Sequence, residues 1–422
     1  MDIDEVVLDI PSHFMCPISL QLMLDPVTVS SGITYDRESI ERWLYSTNIN
    51  RFCCPVTNQP LSDTDLTPNH TLRRLIEGWC SLNASHGFHR LPTPKPPVDR
   101  AQVAKILSDG RKHPHMRLSC LQQLRSIVAG SERGRKMVSC EVSSIVEFVV
   151  SVITGSSIGE SEALTGEALH LLHSLDILES SVKNLIKGGG GDELVAALVH
   201  ALNVGESYQC RAHAIVALRS ISKVADPMQL SNLQPEFFRQ VGRVLAERIS
   251  HQASKTALKL LVKLCSRGRN RIKAVEGGAV SVLIEILLSI DSSSSESRRT
   301  CELVLIVLDQ LCGCAEGRQE MLKHGAGLAI VSKKILRVSH SASDRAIRVL
   351  SSISRFSANP RVLQEMLQVG VVTKLCLVVQ VDCNSKTHER AKEILKMHSR
   401  VWRNSPCIPA HLLSSYPSYS SS

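Results

Sequence analysis

The sequence predicts a mainly α fold in two parts, a small α+β unit followed by an α-solenoid. Three observations carry that prediction. A helical pattern recurs about every 45 residues from residue 120 onward. The aromatics are divided: of the 15 Phe, Trp and Tyr in 422 residues, seven lie before residue 89 and only five in residues 100–400. The long part must therefore build its core from Leu, Ile, Val and Ala. Charge divides along the same line, with a net of −5 over residues 1–90 and +14 over the rest, so the overall +9 averages two opposite surfaces.

The recurring element places a small or apolar residue at i and apolar residues at i+3, i+4 and i+7, which is one face of a helix. Ala168, Leu171, Leu172 and Leu175 form one copy, and Ala257, Leu260, Leu261 and Leu264 another. Further copies begin at Ala214, Val304 and Ala346, and weaker ones at Cys120 and Ala391, where Gln123 and His398 interrupt the pattern. A second helix alternates with it: GGAVSVLIEILL (277–288) puts Val280, Leu283, Ile284, Leu287 and Leu288 on one face. A lone helix pair cannot bury such stripes, so neighbouring units stack and share a core. The period suits armadillo or HEAT units and exceeds TPR or ankyrin ones. The run N-R-I-K-A-V-E-G-G-A-V-S-V-L (270–283) resembles an armadillo unit, in which a short helix ends at Gly-Gly before the next begins.

Composition excludes several classes of protein. A hydrophobic content of 43% excludes a wholly disordered chain. The 14 cysteines are scattered with no C-x-x-C pair, which argues against a disulfide framework and against paired metal sites. Reduced thiols are expected, most of them small buried hydrophobes, in a cytoplasmic or nuclear protein. The start MDIDEVVLDI lacks the regions of a signal peptide, and no stretch approaches 18 uncharged apolar residues, so no membrane span is expected. Gly188–Gly191 lacks the Lys-Ser/Thr of a P-loop and reads as an inter-repeat turn. His170 and His173 stand one helical turn apart without two further ligands, so no metal and no cofactor is expected. The basic array could meet acidic protein segments, lipid headgroups or nucleic acid, or could be a solvated surface with no anion ligand. It offers no aromatic stacking platform, so a nucleic-acid partner is not expected.

The first 80 residues carry the denser signal. Val27–Val29 and Ile33–Tyr35 are short extended runs around Ser31–Gly32, which predicts a hairpin. Asp36 can cap a helix with Ile40, Trp43 and Leu44 on one face. Asn69 can cap a second, with Leu72, Leu75, Ile76 and Trp79 on its buried side. Loops centred on Cys16–Leu20 and Cys54–Asn58 flank the first helix.

The string I-P-S-H-F-M-C-P-I-S-L-Q-L-M-L-D-P-V-T-V-S-S-G-I-T-Y-D-R-E-S-I-E-R-W-L, followed by C-P-V-T-N-Q-P-L, resembles a U-box, the zinc-free relative of the RING finger. With the downstream array, the chain resembles the plant U-box/armadillo ubiquitin-protein ligases, in the branch with the U-box at the amino terminus. The expected layout is a U-box at 8–84, a Pro-rich linker at 85–100, about seven armadillo units at 101–403 and a flexible Ser/Pro-rich tail at 404–422. A RING needs eight Cys/His ligands in paired spacing. This segment lacks them, so Asp25, Ser30, Asp36, Arg37 and Asn58 are candidates to replace metal with hydrogen bonds and ion pairs.

The resemblance implies a non-covalent mechanism. A U-box docks a ubiquitin-conjugating enzyme charged with ubiquitin and promotes transfer to a substrate lysine, while the armadillo array recruits the substrate. Carried over by motif, Ile18 and Leu20 on the first loop, Trp43 on the helix and Pro55 on the second loop form the apolar docking groove. Asn58 stands where some of these domains place a cation touching both conjugating enzyme and ubiquitin; an amide donates hydrogen bonds but has no charge. Cys16, Pro17, Asp25, Pro26 and Asp36 are expected as structural residues beside the site. Self-association through the U-box is compatible with the resemblance, as is a link to stress and plant defence. The alternative reading is a non-catalytic armadillo adaptor that uses its U-box only to dimerise.

Overall fold

The computed structural model describes residues 10–46, 53–63, 65–86, 88, 99–155, 161–175, 191–204, 207–224, 230, 233–291, 294–381 and 384–402. Most of the expected linker, the tail and the glycine run up to Gly190 lie outside them. The chain divides into two compact units, Met1–Val149 with His170–Asp176, and Val150–Leu169 with Ile177–Ser422.

The first unit opens with the predicted hairpin. Strands β1 (Pro26–Thr28) and β2 (Thr34–Asp36) pair antiparallel with Val27 opposite Tyr35. Gly32 takes φ +82° in the turn, a conformation that glycine adopts without penalty. A third strand, β3 (Thr67–Pro68), pairs with β1 and completes a sheet of order β2-β1-β3. Two helices close it, α1 (Arg37–Ser46) and α2 (His70–Leu82). Asn69 caps α2 as expected, its side chain accepting from the Leu72 N–H. Between sheet and helices lie Phe14, Met23, Val27, Tyr35, Ile40 and Ile76, together with the buried thiols of Cys16, Cys54 and Cys80.

Two expectations about α1 and α2 are corrected. The Asp36 carboxylate is turned back toward the chain before the hairpin, where Oδ1 accepts from the backbone N–H groups of Leu24 and Asp25 at 2.8 and 3.0 Å. Leu75 is exposed rather than buried, because the buried arc of α2 is centred on Ile76 and Cys80. At about 100° per residue, Leu75 lies off that arc.

The same unit continues into the helices α3 (Arg100–Lys112), α4 (Arg117–Gly130), α5 (Glu132–Cys140) and α6 (Val142–Thr154), the last of which crosses the boundary between the units. Helix α1 packs directly on α5. Lys136 lies over the Tyr45 ring at 5.1 Å, and Glu41 is buried within the electrostatic reach of Arg37 and Arg133. Burial pushes the Glu41 carboxyl up, opposed by the two arginines. Within this first unit, the sheet-bearing part therefore rests on the first helices of the array.

The second unit holds the repeats at their fullest. The chain runs on through α7 (Ser161–Ser174), α8 (Gly191–Val204), α9 (Tyr208–Val224), α10 (Pro235–Glu247) and α11 (His251–Leu264). One unit comprises α12 (Gly268–Glu276), α13 (Ala279–Ser289) and α14 (Ser295–Leu311), where the sequence indicated at least two helices. The helices α15 (Ala315–Lys323), α16 (Gly327–Lys334), α17 (His340–Phe356), α18 (Pro360–Gln368), α19 (Val371–Gln380) and α20 (Ser385–Met397) continue the array. Gly277 and Gly278 separate the first two helices. Gly278 takes φ +80°, and a Cβ on Gly277 would stand 2.8 Å from the Pro235 carbonyl oxygen and 2.9 Å from Phe238 Cβ. The pair is thus required by both backbone conformation and close approach. The i, i+3, i+4, i+7 residues of the copies beginning at Ala168, Ala257, Val304 and Ala346 are all buried, while Gln123 in the weaker first copy is exposed. In α13 the buried arc centres on Leu283 and Leu287, which leaves Leu288 outside it and exposed, contrary to the pattern. No single described helix is long and apolar enough to cross a membrane.

Candidate functional site

The two loops that flank α1 are built alike. Cys16-Pro17-Ile18-Ser19-Leu20-Gln21 and Cys54-Pro55-Val56-Thr57-Asn58-Gln59 share one local plan. In the first, the Leu20 N–H donates to the Cys16 carbonyl at 2.8 Å and the Cys16 N–H to the Gln21 carbonyl at 2.8 Å. In the second, Asn58 donates to Cys54 at 2.8 Å and Cys54 to Gln59 at 2.9 Å. Each turn closes through a left-handed residue, Leu20 at φ +53° and Asn58 at φ +54°. An isolated bridge seals each neck, Met15 to Leu22 and Cys53 to Pro60. Asn tolerates this conformation better than most residues; Leu does not, so the surrounding bonds must hold Leu20 there.

Strand β2 supports both loops through successive residues. The Asp36 N–H donates to the Cys16 sulfur at 3.3 Å. Tyr35 Oη lies 3.0 Å from the Cys54 sulfur and accepts from the Val56 N–H at 3.3 Å. Burial pushes the Cys54 thiol up, but the surrounding hydroxyls, of which Tyr35 Oη is the one within hydrogen-bond distance, outweigh it and hold the pKa down at about 6. At Cys16, burial likewise raises the thiol, and the backbone N–H groups of Ser19, Asp36 and Ile18 lower it further than burial raises it. The phenol of Tyr35 is pushed up by burial and by its bond to Cys54. These sulfurs accept hydrogen bonds from protein donors, and that network fixes the loops.

Around this pair, Asp25 and Arg37, two of the candidate metal replacements, pair with each other at 2.6 Å, and the Arg37 N–H donates to the Asp25 carbonyl at 2.9 Å. Pro26 is buried at the start of β1, and its carbonyl accepts from the Asn69 N–H at 2.8 Å. Ser30 is exposed and makes no hydrogen bond among the described residues, contrary to expectation. Asn58 contributes through its backbone.

The side chains named for docking are placed as follows. Leu20 is 72% exposed at the tip of the first loop, while Ile18 is half-buried against the core and Pro17 is exposed. Trp43 is 41% exposed, and its Nε1–H donates to the Cys53 carbonyl at 3.1 Å, which ties α1 to the neck of the second loop. Pro55 is half-buried and Asn58 exposed. Val56, 53% exposed, was missed. The signal for it was present: Val56 is the counterpart of Ile18 once the two Cys-Pro loops are set in register. Cys16 and Cys54 are wholly buried, so neither sulfur is placed to take an acyl group from a partner protein.

A small α+β domain with two sulfur-braced loops flanking a helix, followed by stacked three-helix units, is the architecture of a U-box joined to an armadillo array. Comparison with known proteins agrees along nearly the whole chain. The family model of the U-box domain matches residues 10–85, and that of the plant U-box protein armadillo-repeat region matches residues 102–418. The Arabidopsis thaliana E3 ubiquitin-protein ligase PUB23 is 49% identical over 97% of this chain and 98% of its own length. PUB22 of the same plant is 47% identical over 97% and 99%, and PUB24 is 37% identical over 98% and 97%. The chain belongs to the plant U-box proteins with armadillo repeats.

Proposed function

We infer that this chain is a ubiquitin-protein ligase of the U-box type, which docks a ubiquitin-conjugating enzyme and promotes transfer of its ubiquitin to a substrate held by the armadillo repeats. The observation that carries this reading is the display of Leu20, Val56 and Trp43 as exposed apolar side chains on and beside two rigidly braced loops. Exposed Trp and aliphatic anchors on a fixed scaffold are what a protein partner's pocket covers most profitably. Ile18 and Pro55, half-buried beside them, complete an apolar docking surface.

The chemistry this surface supplies is positional. A thioester held in one attack-ready geometry reacts faster with an incoming amine than a freely rotating one. The buried state of Cys16 and Cys54 supports direct transfer from the conjugating enzyme, without a ubiquitin–ligase thioester at either loop. Asn58 presents its exposed amide beside the second loop and can donate hydrogen bonds there. The acidic balance of the U-box suits a basic partner surface. A domain whose loops depend on reduced thiols also suits a reducing compartment, cytoplasmic or nuclear.

Self-ubiquitination with purified activating and conjugating enzymes tests the reading. Wild type forms chains, and Ile18→Ala and Trp43→Ala lose them while remaining folded. Wild-type inactivity across a broad panel of conjugating enzymes contradicts it and leaves an adaptor role.

A further inference from the structure

The third helices of successive repeats stack as neighbours, with α14 against α17 (His340–Phe356) and α17 against α20 (Ser385–Met397). Residues of all three helices, with Arg271 and Gly313 beside them, line a groove of about 640 Å3. Five guanidinium groups line it, against two carboxylates, Asp309 and Glu393. Those acids do not neutralise the groove. Asp309 serves both Arg345 and Arg348, at 2.9 and 2.7 Å. Glu393 takes Arg355, while Arg390 turns to Asp344 at 3.0 Å.

Among the described residues, Arg271 has no carboxylate partner. Its Nε and Nη2 donate at 2.9 Å to the carbonyls of Cys265 and Ser266, just beyond the end of helix α11 (His251–Leu264). Its Nη1 lies 2.9 Å from where a Cβ on Gly313 would stand, so the glycine leaves room for the cation against the backbone. One repeat on, Arg318 is fixed in the same way. Nη1 donates to the Cys312 carbonyl at 3.1 Å and Nε to Ser357 Oγ at 3.0 Å, with the guanidinium 5.1 Å over the ring of Phe356. Phe356, which lines the groove, is 65% exposed. Two cations are thus held in place by neutral groups and keep their full charge.

We propose that this groove binds the substrate through an extended acidic peptide segment, whose Asp or Glu carboxylates engage Arg271 and Arg348 and which lays an apolar residue against Phe356. The inference rests on the reading of the array as the substrate-recruiting part. Guanidinium forks match carboxylates bidentately, and fixing them beforehand reduces the ordering cost of binding. Three stacked helices at about 8–10 Å spacing span about 16–20 Å, the length of about six extended residues. One aromatic ring, already stacked under an arginine, is a poor platform for successive nucleobases.

Fluorescence anisotropy on the full chain tests the proposal, with fluorescein-labelled dodecaglutamate, dodecalysine and a twelve-residue oligothymidine as probes. Dodecaglutamate is expected to bind and dodecalysine not to. Arg271→Gln with Arg348→Gln should weaken dodecaglutamate binding about tenfold or more. Because Arg271 also ties down backbone carbonyls, Arg348→Gln with Arg355→Gln serves as a second variant, expected to lose about fivefold or more with an unchanged unfolding midpoint. Unchanged affinity in both variants overturns the proposal, as does oligothymidine binding more tightly than dodecaglutamate and being lost in the same variants. The readout needs no conjugating enzyme. A wild type that binds dodecaglutamate yet fails to self-ubiquitinate refutes the ligase reading alone, whereas one that self-ubiquitinates but ignores dodecaglutamate refutes the groove alone.

Discussion

Removing Trp43 should weaken docking of the conjugating enzyme by an amount that the structure sets. The side chain is 41% exposed. For an indole able to bury about 250 Å2, that leaves about 100 Å2 for a partner to cover. At about 25 cal/mol per Å2 this contributes about 2.5 kcal/mol, or about 60-fold in Kd. Trp43→Phe keeps much of the ring but loses the Nε1–H bond to the Cys53 carbonyl. A partly exposed hydrogen bond contributes about 1 kcal/mol, so Phe should cost about fivefold. The assay is a titration of labelled conjugating enzyme with each full-length variant, alongside urea unfolding to confirm that the U-box is intact. If Trp43→Ala binds within about threefold of wild type with an unchanged unfolding midpoint, Trp43 is not an anchor and the docking surface has been drawn in the wrong place.

Further outcomes follow from the same geometry. Cys54 keeps a thiolate down to about pH 6, far below an ordinary thiol. The folded state therefore binds fewer protons than the unfolded one between pH 6 and the ordinary thiol pKa, and stability from this group rises with pH across that window. It is lost as pH falls through about 6, so the gap between wild type and Cys54→Ser in urea midpoint should widen from pH 6 to pH 9; a constant gap refutes the thiolate assignment. Gly278→Ala must place a Cβ at φ +80° and should cost about 1 kcal/mol of stability. Gly277→Ala, whose Cβ would meet the Pro235 carbonyl at 2.8 Å, should cost more, about 2–3 kcal/mol; equal melting temperatures for the two variants would contradict this ranking. Chelator treatment should leave the unfolding of the U-box unchanged, since its loops close through Tyr35, Asp36 and two sulfurs. A chelator-dependent fall in melting temperature would reveal a bound metal.

Most of the array was legible because helix burial repeats with a period that sequence preserves. Val304, Val307, Leu308 and Leu311 needed only a count of spacings. The errors sit at the margins of that rule. Leu75 and Leu288 are apolar and close to their stripes, yet each lies off the buried arc, since the true centre of a helix face is set by its neighbours. Strand β3 went unread because it has only two residues, one of them proline. The hairpin and the Asn69 cap were readable from local chemistry alone. At the site, the motif located both loops, while the braces were hidden: nothing in the chain order says that Tyr35 meets Cys54, or that α1 lies on α5. The same holds for the arginine groove, whose members come from α12, α17 and α20 and share no sequence signature beyond net charge.

The central claim, that this chain catalyses by positioning a charged conjugating enzyme, is tested most directly by single-turnover discharge of ubiquitin from that enzyme onto free lysine. The account predicts that the full chain accelerates discharge, that Trp43→Ala abolishes most of the acceleration, and that no thiol-sensitive ubiquitin adduct forms on the chain. Absence of acceleration with every conjugating enzyme tried, or a ubiquitin thioester on one of its cysteines, would contradict it.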